Sequence, residues 1–173
     1  MVDFERHIRN IPDFPIAGIQ FKDITTLLQE PDAFAAAVDH MYGPFRTQEL
    51  SKVVGIESRG FIFGAALAYK LNIGFVPVRK PGKLPSHTFS EEYELEYGKD
   101  SLEIHTDAIR PEERVLVVDD LLATGGTAAA TCRLVEKCGG EVVGLSFLIE
   151  LNVLKGREAL SAYRVESLIR YDG

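Results

Sequence analysis

The stretch RVLVVDDLLATGGTAAATC, residues 114–132, decides how the chain reads. It opens on an apolar run rich in valine, which predicts a strand buried on both faces. Two adjacent carboxylates, Asp119 and Asp120, close that run, and a Gly/Thr turn and an alanine-rich helix follow. Gly125 and Gly126 let the backbone approach an anion closely, and Thr124 and Thr127 add hydroxyl donors. The helix start contributes unpaired N–H groups and a positive dipole end. No lysine follows the glycines as in a Walker loop, and the G-x-G-x-x-G dinucleotide spacing is absent. A short cup of this kind suits one terminal phosphate. The acids beside it need another partner, since carboxylates accept hydrogen bonds and repel phosphate. A ribose diol supplies donors at that distance from its own 5′-phosphate. The same carboxylates are candidates to hold the waters of a hydrated Mg²⁺.

Outward from this stretch the chain alternates between strand and helix. PDAFAAAVDHMYG predicts a helix ended by glycine, KVVGIE a short buried strand, and SRGFIFGAALAYKLNIG a helix rich in small residues. FVPVRK is a strand, GTAAATCRLVEKCGG a helix with Lys137 and Gly139 at its exit, and EVVGLSFLIEL a further strand. Continuous apolar strands separated by helices predict an α/β fold with a mostly parallel sheet covered on both faces. Ligands of such sheets bind beyond the carboxyl ends of the strands.

One stretch breaks the rhythm. In EEYELEYGKDSLEIHTDAI, Glu92, Glu94 and Glu96 alternate with Tyr93, Leu95 and Tyr97, then Gly98-Lys99-Asp100 reads as a turn before Leu102 and Ile104 alternate again. This predicts an antiparallel hairpin over 91–105 with one apolar and one acidic face, a candidate flap because a lone two-stranded ribbon is marginally stable. Just before it, RKPGKLPSH puts Arg79, Lys80, Lys83 and His87 within nine residues and no acid among them. In a chain of net charge −7 such a cluster reads as a local anion site; a solvated basic loop is the plain alternative. Arg59 sits in the tight ESRG turn after KVVGIE, at the strand end where ligands bind.

The 173 residues suffice for one domain with a real core, and no repeat or linker divides them. The acidic balance argues against nucleic acid or an anionic membrane as a partner. No apolar run approaches the ~20 residues that cross a bilayer, and no export signal is visible, so a cytoplasmic protein is expected. Cys132 and Cys138 are six apart on one predicted helix, about 240° around its axis, and are expected to be free thiols.

VLVVDDLLATGGTA resembles the phosphoribosyl pyrophosphate (PRPP) motif of the type I phosphoribosyltransferase family. By that resemblance Asp119 and Asp120 meet the ribose hydroxyls, and Ala123, Thr124, Gly125, Gly126 and Thr127 hold the 5′-phosphate. PDFPIAGIQFKDITTLL (12–28), GIESRGFIFG (55–64), VRKPGKLP (78–85), YELEYGKDSLEIH (93–105) and LIELNVLKGREAL (148–160) resemble, in order, the members of the family that act on adenine. The resemblance spans nearly the whole chain. It implies the type I phosphoribosyltransferase fold in a single domain over 1–173. A flexible β-hairpin flap would cover about 81–105, and an N-terminal base-recognition segment over about 1–30 would form a small hood. It further implies transfer of the 5-phosphoribosyl group from PRPP to adenine, giving AMP and pyrophosphate with Mg²⁺, in a homodimer. The metal is expected to be held through PRPP and water.

Residue by residue, the resemblance implies that Arg59, Arg79, Lys80, Lys83 and His87 serve the pyrophosphate and that the Glu57–Ser58 peptide is cis. Phe21 stacks on the base, a contact worth roughly 1–3 kcal/mol for a flat ring, with Gln20 and Lys22 flanking it. Lys22 stands where many members carry arginine, so a forked guanidinium contact is missing at that position. Glu96, followed by Tyr97 and Gly98 as in the family's EYG, is the candidate for proton transfer at the purine N7/N9 edge. Two other readings remain open. One is the same chemistry on another purine or on orotate, decided by segment 18–27, because 6-oxopurines present an acceptor where adenine presents a donor. The other is a PRPP-sensing regulator bound to nucleic acid, which would need a basic stripe or helix-turn-helix that this chain lacks.

Overall fold

The computed structural model describes residues 2–95 and 97–173, and the chain forms two compact units, Met1–His40 and Met41–Gly173. In the first unit a 3₁₀ turn, Phe4–His7, leads into β1 (Arg9–Pro12), which pairs antiparallel with β2 (Gln20–Asp23). The loop between them includes a cis Phe14–Pro15 peptide. Asp23 then starts the short helix α1 (Thr25–Leu28) by accepting a hydrogen bond from the Thr25 N–H at 2.9 Å. That bond, with the Thr25 hydroxyl and Arg9 at 2.8 Å, holds the Asp23 carboxyl below its ordinary range. Helix α2 (Pro31–Tyr42) follows, as its alanine-rich pattern predicts. Phe4 meets His40 edge-on at 5.2 Å and ties the first turn to this helix.

The second unit is built on β3 (Lys52–Ile56), α3 (Gly60–Leu71), β4 (Gly74–Val78), β5 (Thr88–Glu94), β6 (Lys99–His105), β7 (Arg114–Leu122), α4 (Gly126–Lys137), β8 (Glu141–Leu151), α5 (Gly156–Ala159) and β9 (Val165–Tyr171). Five strands form one wholly parallel sheet in the order β4-β3-β7-β8-β9. Val54, Ile56, Val76, Val78, Val115 and Val117 turn to one face and join Ala130, Leu134 and Val135 of α4 in the main core. Helix α3 packs on β3, β4 and β7, where strand alternation sends Val53, Leu116 and Val118 to the other face.

In this unit two strand ends differ from the sequence reading, and one strand is absent from it. Strand β7 does not end at Asp119 and Asp120 but continues to Leu122, because Leu121 and Leu122 still pair with Ile149 and Glu150 of β8. Strand β4 stops at Val78, short of the expected Arg79 and Lys80. There the Arg79 backbone turns to exchange hydrogen bonds with Glu103 of the hairpin, at 3.0 and 2.7 Å. Strand β9 carries no counterpart in the sequence reading.

The antiparallel hairpin lies where expected, with its turn earlier. Pairing stops at Glu94 with Lys99, so Lys99 and Asp100 belong to β6 rather than to the turn. Leu95 and Tyr97 therefore leave the apolar face and are exposed, Tyr97 by 88 %. The strands themselves are seated. Tyr93, Leu102 and Ile104 enter the core beside α4, and Glu91 takes hydrogen bonds from Lys137 and Arg133 at 2.6 and 2.9 Å, which hold its carboxyl below the usual range. Glu92 and Glu94 are exposed, as the acidic face predicts.

Both cysteines are free thiols, and burial pushes Cys132 up to about 12. Among the described residues no helix is long and apolar enough to cross a membrane.

Candidate active site

The chain leaves β3 for β4 on one side and later builds β7, β8 and β9 on the other. The crevice of such a sheet opens where these directions diverge, beyond the carboxyl ends of β3 and β7. A cavity of about 340 Å³ lies there, lined by Ile56–Arg59 after β3, Asp119–Leu121 of β7, and Lys80, Tyr93, Leu102 and Thr127. The expected Glu57–Ser58 cis peptide is present in its floor. A smaller hollow of about 80 Å³ shares Asp119, Leu121 and Thr127 with it and is otherwise walled by Leu122–Gly125 and Ala128. A cavity needs about 10–15 Å³ of such space to hold a water, so this hollow has room for one compact group.

Its backbone has the geometry that favours an anion. Gly125 sits at φ +85° and ψ −4°, a left-handed conformation that turns β7 into α4. No side chain caps α4, so the first-turn N–H groups remain available to a ligand. Ala123, Thr124, Gly125 and Thr127 line the hollow directly, with Gly126 as the first residue of the helix.

Asp120 is buried, 6 % exposed, and pairs with Arg59 Nε at 2.8 Å. Asp119 reaches the cavity and its Oδ1 accepts the Asp120 N–H at 2.8 Å. It also lies against the first turn of α3, where a Cβ on Gly60 would stand 2.7 Å from Asp119 Oδ1, so glycine is required there. Burial first, and the neighbouring Asp120 charge second, push the Asp119 carboxyl well above its ordinary range. Among the described residues no three acidic, histidine or cysteine side chains converge on one metal position. Two adjacent carboxylates at the cavity offer the oxygen acceptors that suit a hard divalent ion held through water and ligand oxygens.

The cations divide. Arg59 and Lys80 line the cavity, and Arg79, Lys83 and His87 do not. Lys80 Nζ donates to Tyr93 Oη at 2.8 Å and, very closely, to Asp100 Oδ2. Partial burial works against its charge, but these hydrogen bonds win and raise the ammonium's pKa. Arg79 Nε is held by Glu57 at 3.0 Å.

In the first unit, Asn10 faces Lys22 across the ribbon. Its amide donates to Gln20 Oε1 at 2.7 Å and accepts from Lys22 Nζ at 3.2 Å. Phe14 meets Phe21 edge-on at 5.1 Å. Glu96 lies outside the described residues; Tyr97 is exposed at the hairpin tip. Sequence reasoning missed Tyr93 and Asp100 as partners of Lys80. It also missed Glu150, a carboxylate inside the apolar run GLSFLIEL, which is the signal of a buried partnered acid.

A family model described as a phosphoribosyl transferase domain matches residues 23–172. The adenine phosphoribosyltransferase of Desulfitobacterium hafniense (strain Y51) is 59 % identical over 170 residues, 98 % of either chain. The crystal structure of adenine phosphoribosyltransferase from Rhodothermus marinus superimposes with a TM-score of 0.94 at 56 % identity, covering 97 % of this chain and 96 % of that one. The enzyme from Saccharomyces cerevisiae, complexed with D-2,5-dideoxy-2,5-imino-altritol 1,6-bisphosphate and adenine, gives 0.91 at 41 % identity, covering 96 % of each chain. The crevice at a type I fold's strand ends and these likenesses over the full length agree: the chain belongs to the phosphoribosyltransferase family, among the adenine phosphoribosyltransferases.

Proposed function

We propose that this chain transfers the 5-phosphoribosyl group from PRPP to adenine, forming AMP and releasing pyrophosphate, a purine salvage reaction. The observation that carries the reading is the joined pair of hollows at the ends of β3 and β7, where an anion cup adjoins two carboxylates and two cations. Asp119 and Asp120 accept hydrogen bonds from the ribose hydroxyls, and Ala123–Thr127 hold the 5′-phosphate. Arg59 and Lys80 receive the pyrophosphate, with Arg79 and Lys83 adding positive potential nearby in sequence and His87 offering a ring nitrogen. Mg²⁺, when bound with PRPP, neutralises charge developing on the leaving pyrophosphate.

Adenine stacks on Phe21 and is read by Gln20 and Lys22. Bond formation from N9 to C1 and rupture of the C1–pyrophosphate oxygen bond leave the N9 proton to be removed, and the Glu96 carboxylate accepts it. The hairpin, with Tyr97 near its tip, excludes water that would hydrolyse PRPP at C1. By family resemblance we assign residues 1–173 to one phosphoribosyltransferase domain, with the base-recognition segment over about 1–30. Two free thiols and an acidic surface suit a cytoplasmic enzyme, and we assign it a homodimeric state by family resemblance, with no nucleic-acid or membrane partner.

The test offers PRPP and Mg²⁺ with adenine, hypoxanthine, guanine, xanthine or orotate separately and measures nucleotide and pyrophosphate. Adenine alone should give efficient turnover; preference for another base would move the chain to a sister activity.

A further inference from the structure

The phosphate cup is braced from behind by residues 150–157. Gly156 lies so close to it that a Cβ there would collide with the Ala123 carbonyl, and a Cβ on Gly125 would collide with the Gly156 carbonyl. Contact is therefore backbone on backbone, and any shift of Gly156 is passed directly to the loop whose N–H groups face the anion.

Gly156 is in turn fixed by its neighbour. Arg157 Nε and Nη2 make two parallel bonds to Glu150 Oε1 and Oε2 at 2.7 and 2.8 Å, and Nη1 donates to the Val165 carbonyl at 2.8 Å. Such a forked pair fixes direction as well as distance. Glu150 is 3 % exposed and sits on β8 opposite Leu122, the last strand residue before the cup. One residue thus touches both sides of the loop's surroundings: the strand that enters it, by backbone ladder pairing, and the turn behind it, through its carboxylate and Arg157.

Resting on the reaction proposed above, we infer that Glu150 and Arg157 are positioning residues for the 5′-phosphate, acting through Gly156 on the Ala123–Gly126 backbone. They touch no substrate. A buried ion pair gains little stability over an apolar replacement, because desolvation offsets its attraction. Its directional hold on the cup gives this one a role beyond stability. Arg170, 3.5 Å from Glu150, keeps the carboxylate partnered when Arg157 is replaced.

The test compares Arg157→Met and Arg157→Lys with the wild-type enzyme in steady-state kinetics. It adds inhibition by ribose 5-phosphate and by pyrophosphate, and calorimetric binding of ribose 5-phosphate. Misplacing a binding group remote from the chemistry costs about tenfold or more. Arg157→Met should therefore raise the PRPP KM and the ribose 5-phosphate constants about tenfold, leaving kcat, the adenine KM and pyrophosphate inhibition within about twofold. Arg157→Lys, which keeps charge without the fork, should fall between.

Gly156→Ala leaves the ion pair whole and thrusts a methyl at the Ala123 carbonyl; it should give the same split and serves if Arg157→Met does not fold. An unchanged ribose 5-phosphate constant, or equal losses for adenine, pyrophosphate and ribose 5-phosphate, would overturn the inference. Failure of the wild-type enzyme to form AMP would instead defeat the reaction on which it rests.

Discussion

Arg59 Nε lies 2.8 Å from Asp120 Oδ2, which joins the turn after β3 to the carboxylate pair of β7. The two strands that flank the crevice are thereby clamped at their ligand-binding ends. Asp120 holds Arg59 through Oδ2, and Asp119, which shares the cavity with Lys80, has its carboxyl raised by burial and by the Asp120 charge. The two acids are adjacent in sequence and differently engaged, Asp120 with the Arg59 guanidinium and Asp119 with the Asp120 N–H.

Replacing Asp120 by asparagine removes a charge-assisted acceptor and releases Arg59. Hydrogen bonds to charged groups contribute about 1.5–3 kcal/mol, so Asp120→Asn should raise the PRPP KM about tenfold or more. The adenine KM should stay within about twofold. Steady-state kinetics with each substrate varied in turn distinguishes this from a general loss, in which both constants rise together.

Asp119 predicts a pH effect on stability. Its folded-state pKa lies well above the ordinary aspartate value. Stability linked to its protonated form is full below that value and is lost as pH rises through the folded pKa. At neutral pH the Asp119 carboxyl therefore costs stability in the ligand-free protein. Asp119→Asn should unfold at a higher temperature than wild type near pH 7.5, with the gap closing as pH falls toward 4, while PRPP binding weakens. A variant less stable than wild type at neutral pH would contradict this.

Lys80 is shared between Tyr93 and Asp100 before any pyrophosphate arrives. An anion must draw it away, so Asp100→Asn should tighten pyrophosphate inhibition about two- to fivefold, the worth of a partly exposed pair. Lys80→Met should weaken inhibition about tenfold by removing a charged donor. Product inhibition measured against varied PRPP reads both.

Glu96→Gln keeps size and polarity but cannot accept a proton. General acid–base groups contribute about 10²–10⁴ in rate, so kcat should fall at least ~100-fold, with ribose 5-phosphate binding unchanged. Unaltered turnover would assign the N9 proton to another group.

The site was legible in the sequence where chemistry is written in consecutive residues. Asp119 through Thr127 run consecutively from the end of β7 through the turn at 123–125 into the first turn of α4, and local backbone rules alone carry a strand into a glycine-started helix. Lys80 shows the limit: its place in RKPGKLPSH suggests a cation free for an anion, but its partners Tyr93 and Asp100 come from the hairpin, which only tertiary pairing sets beside it. Strand alternation ran past its range at Leu95 and Tyr97 because pairing ends at Glu94. The β1–β2 ribbon escaped notice because each of its strands has four residues and a proline-containing loop parts them. Glu150 was visible as an acid in an apolar run, but its bidentate partner seven residues on depends on the turn that folds back behind the cup.

The most direct measurement is a crystal structure with PRPP and Mg²⁺ bound. The account predicts the 5′-phosphate against the N–H groups of residues 123–127, the ribose hydroxyls within about 3 Å of Asp119 and Asp120, and the pyrophosphate beside Arg59 and Lys80. A sugar phosphate bound elsewhere, or one whose phosphate leaves that turn empty, would contradict it.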